Sequence, residues 1–223
     1  FMVSKDISRI AMNGIHLQLK EDNLNIITTD GARLALCKKE LKGEAGEVII
    51  PPKTFDLLDI DKTEEPIEIF IEERMIGLKF SSTAIIARLI EGPYPNYESV
   101  IPKIFSGTCT VEKEILEGAL KRVSLVSSPS LKSVKFDFGG DKLLLSSSSP
   151  DFGEGKEEIN CIYEGEKMSI WFNAGYLLEI LRHISADNII FQLTTPSTAS
   201  LIKPKTMDNQ IYLLMPLRID AYE

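Results

Sequence analysis

The chain repeats itself at an offset of about 120 residues, and that duplication constrains the fold more than any single motif does. "GIHLQLKEDNLNIITTDG" (14–31) places apolar residues at 15, 17 and 19 and again at 24 and 26, either side of a polar turn. "SVKFDFGGDKLLLSSSSPDFG" (133–153) does the same at 134, 136 and 138 and then at 143 and 145. Alternation of this kind puts one face of each strand into a core, so both stretches read as β-hairpins. A further strand follows each, "EVIIPP" or "EKMSIWF", and then a short amphipathic helix, "PKTFDLLDI" or "NAGYLLEILRHIS". Phe55 and Tyr176 sit 121 positions apart at matching places in those helices.

The parallel continues downstream. "PIEIFIEERMIGLKF" alternates at 67, 69, 71 and at 76, 78, 80, and "NIIFQLTTPSTASLIKP" supplies a matching pair of strands, with Ile67 and Ile189 122 positions apart. Two copies of one α+β unit are expected, each an antiparallel sheet assembly with helices on one face. The turn-rich "EGPYPNY" and the following "IPKIFSG" put the boundary near 103/104, giving units 1–103 and 104–223. A long helix over "TVEKEILEGALKRVSLVS" (110–127) is expected ahead of the second copy, because 111, 115, 116, 119, 120, 123 and 126 fall on one helical face. Its counterpart in the first copy would be the tail "FMVSKDISRIAMNG", with Phe1, Val3, Ile7 and Ile10 inward. The chain opens on Phe1-Met2, which reads as truncation within that element.

A chain of 223 residues with 43% hydrophobic and 26% charged residues buries a substantial core in two domains. Its net charge of -8 argues against a globally basic nucleic-acid binder but leaves room for local basic faces. Cys37, Cys109 and Cys161 are far apart and the only histidines are His16 and His183, so neither a metal site nor a disulfide framework is expected, and no cofactor. No signal peptide or long apolar span is present, and a cytoplasmic location is expected.

Catalytic motifs are missing too. The serines at 146 to 149 have no accompanying histidine, and "FGEG" (152–155) has neither the spacing nor the Lys-Ser/Thr of a phosphate loop, so both read as solvated loop. The unusual feature is "ITTDGARLALC" (27–37), a strand–turn–strand in which Thr28, Thr29, Asp30 and Arg33 gather at one turn. A catalytic acid, a ligand pocket and a plain solvated loop are all compatible with it.

"TDGARLALC", "EGPYPNYESVIP", "FNAGYLLEIL" and the terminal "YLLMPLRI" resemble, in order and spacing, segments of the bacterial DNA polymerase III beta subunits, the sliding clamps. The resemblance covers essentially the whole chain and corresponds to the second and third of three clamp domains, with the first absent. It implies repeated DNA-clamp domains and a non-catalytic processivity factor that encircles duplex DNA without reading its sequence. The implied partners are the polymerase alpha subunit, the clamp loader and repair polymerases, captured as short linear peptides in a hydrophobic groove.

Carried over by position, the resemblance places Met12, Thr29, Gly31, Arg33, Leu34, Pro95 and Val100 on one wall of that groove, and Ser197, Leu213, Met215, Pro216, Leu217 and Arg218 on the other. Lys5, Arg9, Lys53, Lys121 and Arg182 are its implied DNA contacts. Leu125 and Val126 match a head-to-tail homodimer interface, which this chain alone is expected not to close into a ring. The chain departs from the family pattern at Ala32, where many relatives carry histidine, and at Glu98-Ser99, where they carry a basic pair. Two other readings stand beside it: a two-domain peptide-binding scaffold with no DNA role, and an enzyme with an interdomain small-molecule pocket.

Overall fold

The computed structural model describes residues 1–57, 66–80 and 82–218. The chain divides into two compact units, Phe1–Asn96 and Tyr97–Glu223. In the first, β1 (Ile15–Lys20), β2 (Asn23–Thr29), β3 (Arg33–Glu40) and β4 (Gly46–Ile50) form an antiparallel sheet in the order β3-β2-β1-β4. After α1 (Lys53–Asp56) come β5 (Glu68–Glu72), β6 (Met75–Phe80) and β7 (Thr83–Arg88), a second sheet in chain order.

Local chemistry sets the first hairpin. Lys20 pairs with Asn23 across Glu21 and Asp22, both at positive φ, which is the backbone of a type I′ turn and matches the right-handed strand twist. The Asn23 side chain donates to the Glu21 carbonyl and holds that turn. With register fixed there, Leu17 points inward to join Ile50, Ile76 and Leu78 in the core, against Ile15, Val48, Phe55, Ile67 and Phe80.

The second unit has the same plan with more cover. β8 (Gly107–Glu112), α2 (Lys113–Val123), β9 (Ser133–Gly139), β10 (Lys142–Ser149), β11 (Gly153–Asn160), β12 (Ile162–Gly165), β13 (Met168–Asn173), α3 (Ala174–Arg182), β14 (Asn188–Leu193), β15 (Ser200–Pro204) and β16 (Gln210–Leu214) follow in order. They form sheets β11-β10-β9-β13 and β12-β8-β14-β15-β16. Phe136, Phe138, Phe172 and Phe191 fill the core, with the Phe136 and Phe172 rings edge-on at 5.2 Å. α2 buries Leu116, Ala119, Leu120 and Val123, and α3 buries Ala174, Leu177, Ile180 and Leu181. Asn173 caps α3, its Oδ1 accepting from the Tyr176 amide at 3.0 Å.

Several expectations need correction. The helix expected from 110 begins at Lys113, because Cys109 and Val111 alternate inward on β8 and Val111 pairs with Ile189. Residues 1–14 hold one 3₁₀ turn, Ile10–Asn13, with Met2 buried while Ile7 is 86% exposed. Asp6 explains the break: its Oδ1 accepts from both the amide and the hydroxyl of Ser8, a local bond that competes with helix. The serines at 146 to 149 and most of "FGEG" are strand, since β10 and β11 pair from Lys142↔Asn160 to Ser149↔Gly153. Of the helix expected over 52–60, α1 covers Lys53–Asp56, and Leu58, Asp59 and Ile60 lie outside the described residues.

Ile69 and Ile71 depart most from the alternation, at 46% and 52% exposed. At the 122-residue offset their counterparts are Phe191 and Leu193, both fully buried. In the second unit β14 is flanked by β8, and α2 buries its own apolar face. Among the described residues the first unit has no counterpart to that strand and helix, so β5 keeps its alternation without the burial.

Candidate functional site

The turn at Asp30 closes on itself. Asp30 Oδ1 accepts from the amides of Ala32 and Arg33 at 2.9 and 3.0 Å, and its Oδ2 accepts from Arg33 Nε at 2.9 Å. The Thr29 hydroxyl donates to the Arg33 carbonyl at 2.7 Å and accepts from the Gly31 amide at 3.1 Å. Gly31 stands at φ +91, where a side chain would be strained, and an added Cβ would lie 2.6 Å from Arg9 Nη1. The charged cluster that stood out in the sequence is therefore a brace: it fixes a short loop and leaves the Gly31 backbone uncovered. Both Asp30 oxygens are committed to donors within the turn, so the carboxylate serves to hold the loop.

Around this brace the first unit places Met12, half-buried, with its methyl 3.7 Å from the position of a Gly31 Cβ, and Leu34, buried at the start of β3. Pro95 is exposed beside Tyr94. Tyr94 stacks on His16, a residue that the sequence marks only as one of two histidines: the rings lie 4.5 Å apart and 4° from parallel. His16 is 2% exposed, its Nε2 3.6 Å from Glu47 Oε2. Burial pulls the imidazole below its ordinary pKa, with Glu47 opposing in part. Burial also pushes the Tyr94 hydroxyl up to about 12, against a smaller opposite pull from the Thr29 backbone.

In the second unit, β16 ends at Leu214 and the chain continues without regular secondary structure through Arg218. Leu213 is buried and pairs with Leu201, an ordinary closing-strand position. Met215 is 43% exposed, Pro216 and Leu217 are half-buried, and Arg218 is exposed. The Leu217 amide donates to the Trp171 carbonyl at 2.8 Å, which ties the tail to β13. Ser197 lies in a threonine-rich turn, within 3.3 Å of the Thr195 hydroxyl, and Val100 is exposed at the end of the 3₁₀ turn Tyr97–Val100.

The basic residues are dispersed. Lys5 is exposed near the start of the first unit, and Lys53 opens α1. Arg9 pairs with Asp6 at 3.6 Å and its Nη1 donates to the Asp30 carbonyl at 3.5 Å, placing it at the braced turn. Lys121 on α2 pairs with Glu117 at 2.5 Å, and Arg182 is the exposed last residue of α3. Leu125 is 76% exposed in the 3₁₀ turn after α2, whereas Val126 packs toward Gly155 on β11. Arg122 joins α2 to β11 through two bonds to Glu157, at 2.5 and 2.8 Å. That fork raises the guanidinium pKa and lowers the carboxyl, hydrogen bonding being the larger cause for both. Among the described residues no group of three or more His, Cys, Asp or Glu is arranged to hold a metal ion.

A duplicated unit of paired antiparallel sheets, carrying a braced turn in one copy and an apolar C-terminal tail in the other, is a repeated DNA-clamp fold. The chain belongs to the DNA polymerase III beta subunit family: residues 1–96 match its central domain and residues 98–218 its C-terminal domain. It is 28% identical over 228 residues to the beta sliding clamp of Caulobacter vibrioides, covering 98% of this chain and 61% of that protein. The beta sliding clamp of Chlamydia trachomatis is 28% identical over 223 residues, covering 98% of this chain and 53% of that one. The DNA polymerase III beta subunit of Thermotoga maritima superposes with a TM-score of 0.93 at 28% identity, over 99% of this chain and 61% of its own. The sliding clamp of Pseudomonas aeruginosa bound to griselimycin gives 0.91 at 26%, over 98% and 60%. The chain thus spans about 60% of the length of most of these relatives.

Proposed function

We propose that this chain is the peptide-capturing part of a DNA sliding clamp, a non-catalytic processivity factor that encircles duplex DNA and tethers polymerase, clamp loader and repair proteins. In this reading Met12, Thr29, Gly31, Arg33, Leu34, Pro95 and Val100 share one hydrophobic groove with Ser197, Leu213, Met215, Pro216, Leu217 and Arg218. The observation that carries it is the braced turn, which holds the Gly31 backbone open at fixed geometry. A pre-formed loop lowers the ordering cost of binding an extended peptide. Met215 supplies an adaptable apolar wall, and Arg218 a donor for peptide carbonyls.

The DNA role rests on family membership. Lys5, Arg9, Lys53, Lys121 and Arg182 contact phosphates weakly, as sliding demands, and the pairing of Lys121 with Glu117 suits weak contact. Leu125 and Val126 belong to a head-to-tail homodimer junction, for which the exposed Leu125 and the outer edge of β11 are suited. The clamp would act in the cytoplasm. Griselimycin, bound by the Pseudomonas aeruginosa relative, is expected to compete with a glutamine-plus-hydrophobic peptide for the groove. Fluorescence anisotropy tests this: displacement of a labelled peptide supports the reading, and absence of peptide binding near neutral pH contradicts it.

A further inference from the structure

We propose that the outer face of the β5-β6-β7 sheet is a self-complementary contact surface, on which a second copy of this chain packs face to face about a two-fold axis along β6. None of its residues belongs to the proposed groove, so the two stand apart.

Register defines the face. Phe70 on β5 lies opposite Gly77 on β6, and Gly77 opposite Ile86 on β7, so the three share one side of the sheet. Ile76 and Leu78 point to the other side and are buried in the core of the first unit. Phe70 is 55%, Met75 47% and Ile86 73% exposed, whereas the solvated side of an antiparallel sheet is ordinarily polar. Gly77 has no side chain to fill the space between Phe70 and Ile86. These three and Met75 are among the residues that line an open depression of about 280 Å³.

Charges around this patch select the occupant. Glu68 and Glu72 stand on the β5 side of the face; Glu72 shares a row with Met75 and Arg88, and Glu68 shares one with Lys79 and Ala84. A rotation of 180° about β6 exchanges the β5 and β7 sides and keeps each row in place. It sets Phe70 of each copy over Ile86 of the other and Glu72 over Arg88, with Met75 and Gly77 over their own counterparts. Every off-axis contact then occurs twice, as a closed isologous dimer requires. Met75, unbranched and soft, adapts to its copy on the axis. Lys79 also meets its counterpart, but its Nζ lies 3.6 Å from Glu68 Oε2, so a carboxylate already offsets that like-charge approach. Arg88 keeps Glu91 at 3.3 Å, an exposed pair that leaves guanidinium N–H groups for a second carboxylate. A uniformly acidic or uniformly basic partner would instead repel one of the two rims. Nine residues a side fall well short of the about 20–30 of a stable interface, so the association is weak and concentration-dependent.

Sedimentation equilibrium of the whole chain from about 5 to about 500 µM tests this, and a monomer–dimer equilibrium that stops at the dimer is expected. The Phe70→Ser, Ile86→Ser double variant should dimerise at least about tenfold more weakly with an unchanged melting temperature, because both side chains are exposed in the single copy. Glu72→Arg alone should also weaken the dimer, by setting arginine against Arg88 of the other copy, and adding Arg88→Glu should restore it. Leu125→Ser, far along the chain on the second unit, should leave the equilibrium as it is. A monomer throughout the range, unchanged association of the folded Phe70→Ser, Ile86→Ser variant, or failure of Arg88→Glu to rescue Glu72→Arg overturns the inference.

Discussion

Asp30 and Arg33 close one turn from both ends: the carboxylate takes two backbone amides on one oxygen and the Arg33 Nε, at 2.9 Å, on the other. Arg33 is buried, so its charge is matched where water is scarce. Asp30→Ala removes three bonds at once and should cost about 1–3 kcal/mol of stability, with Asp30→Asn intermediate. Urea denaturation of the two variants checks the order.

His16 makes stability depend on pH in a defined direction. Its folded pKa lies below the unfolded value of 6.5, so the unfolded chain binds the proton more readily. The contribution is complete above about pH 6.5, the unfolded value, and is lost progressively as pH falls through it toward the folded pKa. Melting curves at pH 7.5 and 5.5 should show a smaller acid-induced drop for His16→Phe than for wild type.

The two copies should respond unequally to equivalent truncations. Phe191→Ala opens a cavity in a closed core and should cost about 3–5 kcal/mol. Ile69→Ala, at the matching position on β5, removes a side chain already 46% exposed and should cost under about 1.5 kcal/mol. Denaturant midpoints of both variants decide this.

The duplication, the hairpins and α3 were legible in the sequence because period-2 alternation and an amphipathic helical face are local signals. β11 was not, since "GEGKEEIN" carries no apolar period and becomes strand by pairing with β10. The start of α2 was misplaced because Val111 satisfies a helical face and a strand face equally well. Arg33 and Asp30 were visible as a cluster, but their mutual brace depends on a turn geometry that residue types alone do not specify. His16 carried no signal at all: its partner Tyr94 lies 78 positions away, and only the fold stacks them.

Cysteine reactivity should follow burial. Cys109 and Cys161 are buried, and burial, the largest cause for each, raises both thiols above the ordinary range. Cys37 on β3 is half-buried. Brief alkylation of the native protein, read by peptide mass, should modify Cys37 first, with Cys109 and Cys161 labelled only after unfolding.

Calorimetric titration of the Met215→Ala, Leu217→Ala double variant with a clamp-binding peptide tests the proposed groove most directly. Each truncation removes apolar contact worth about 1–3 kcal/mol when engaged, so affinity should fall at least about tenfold while the melting temperature shows the protein still folded. Unchanged affinity in the folded double variant would contradict the groove assignment.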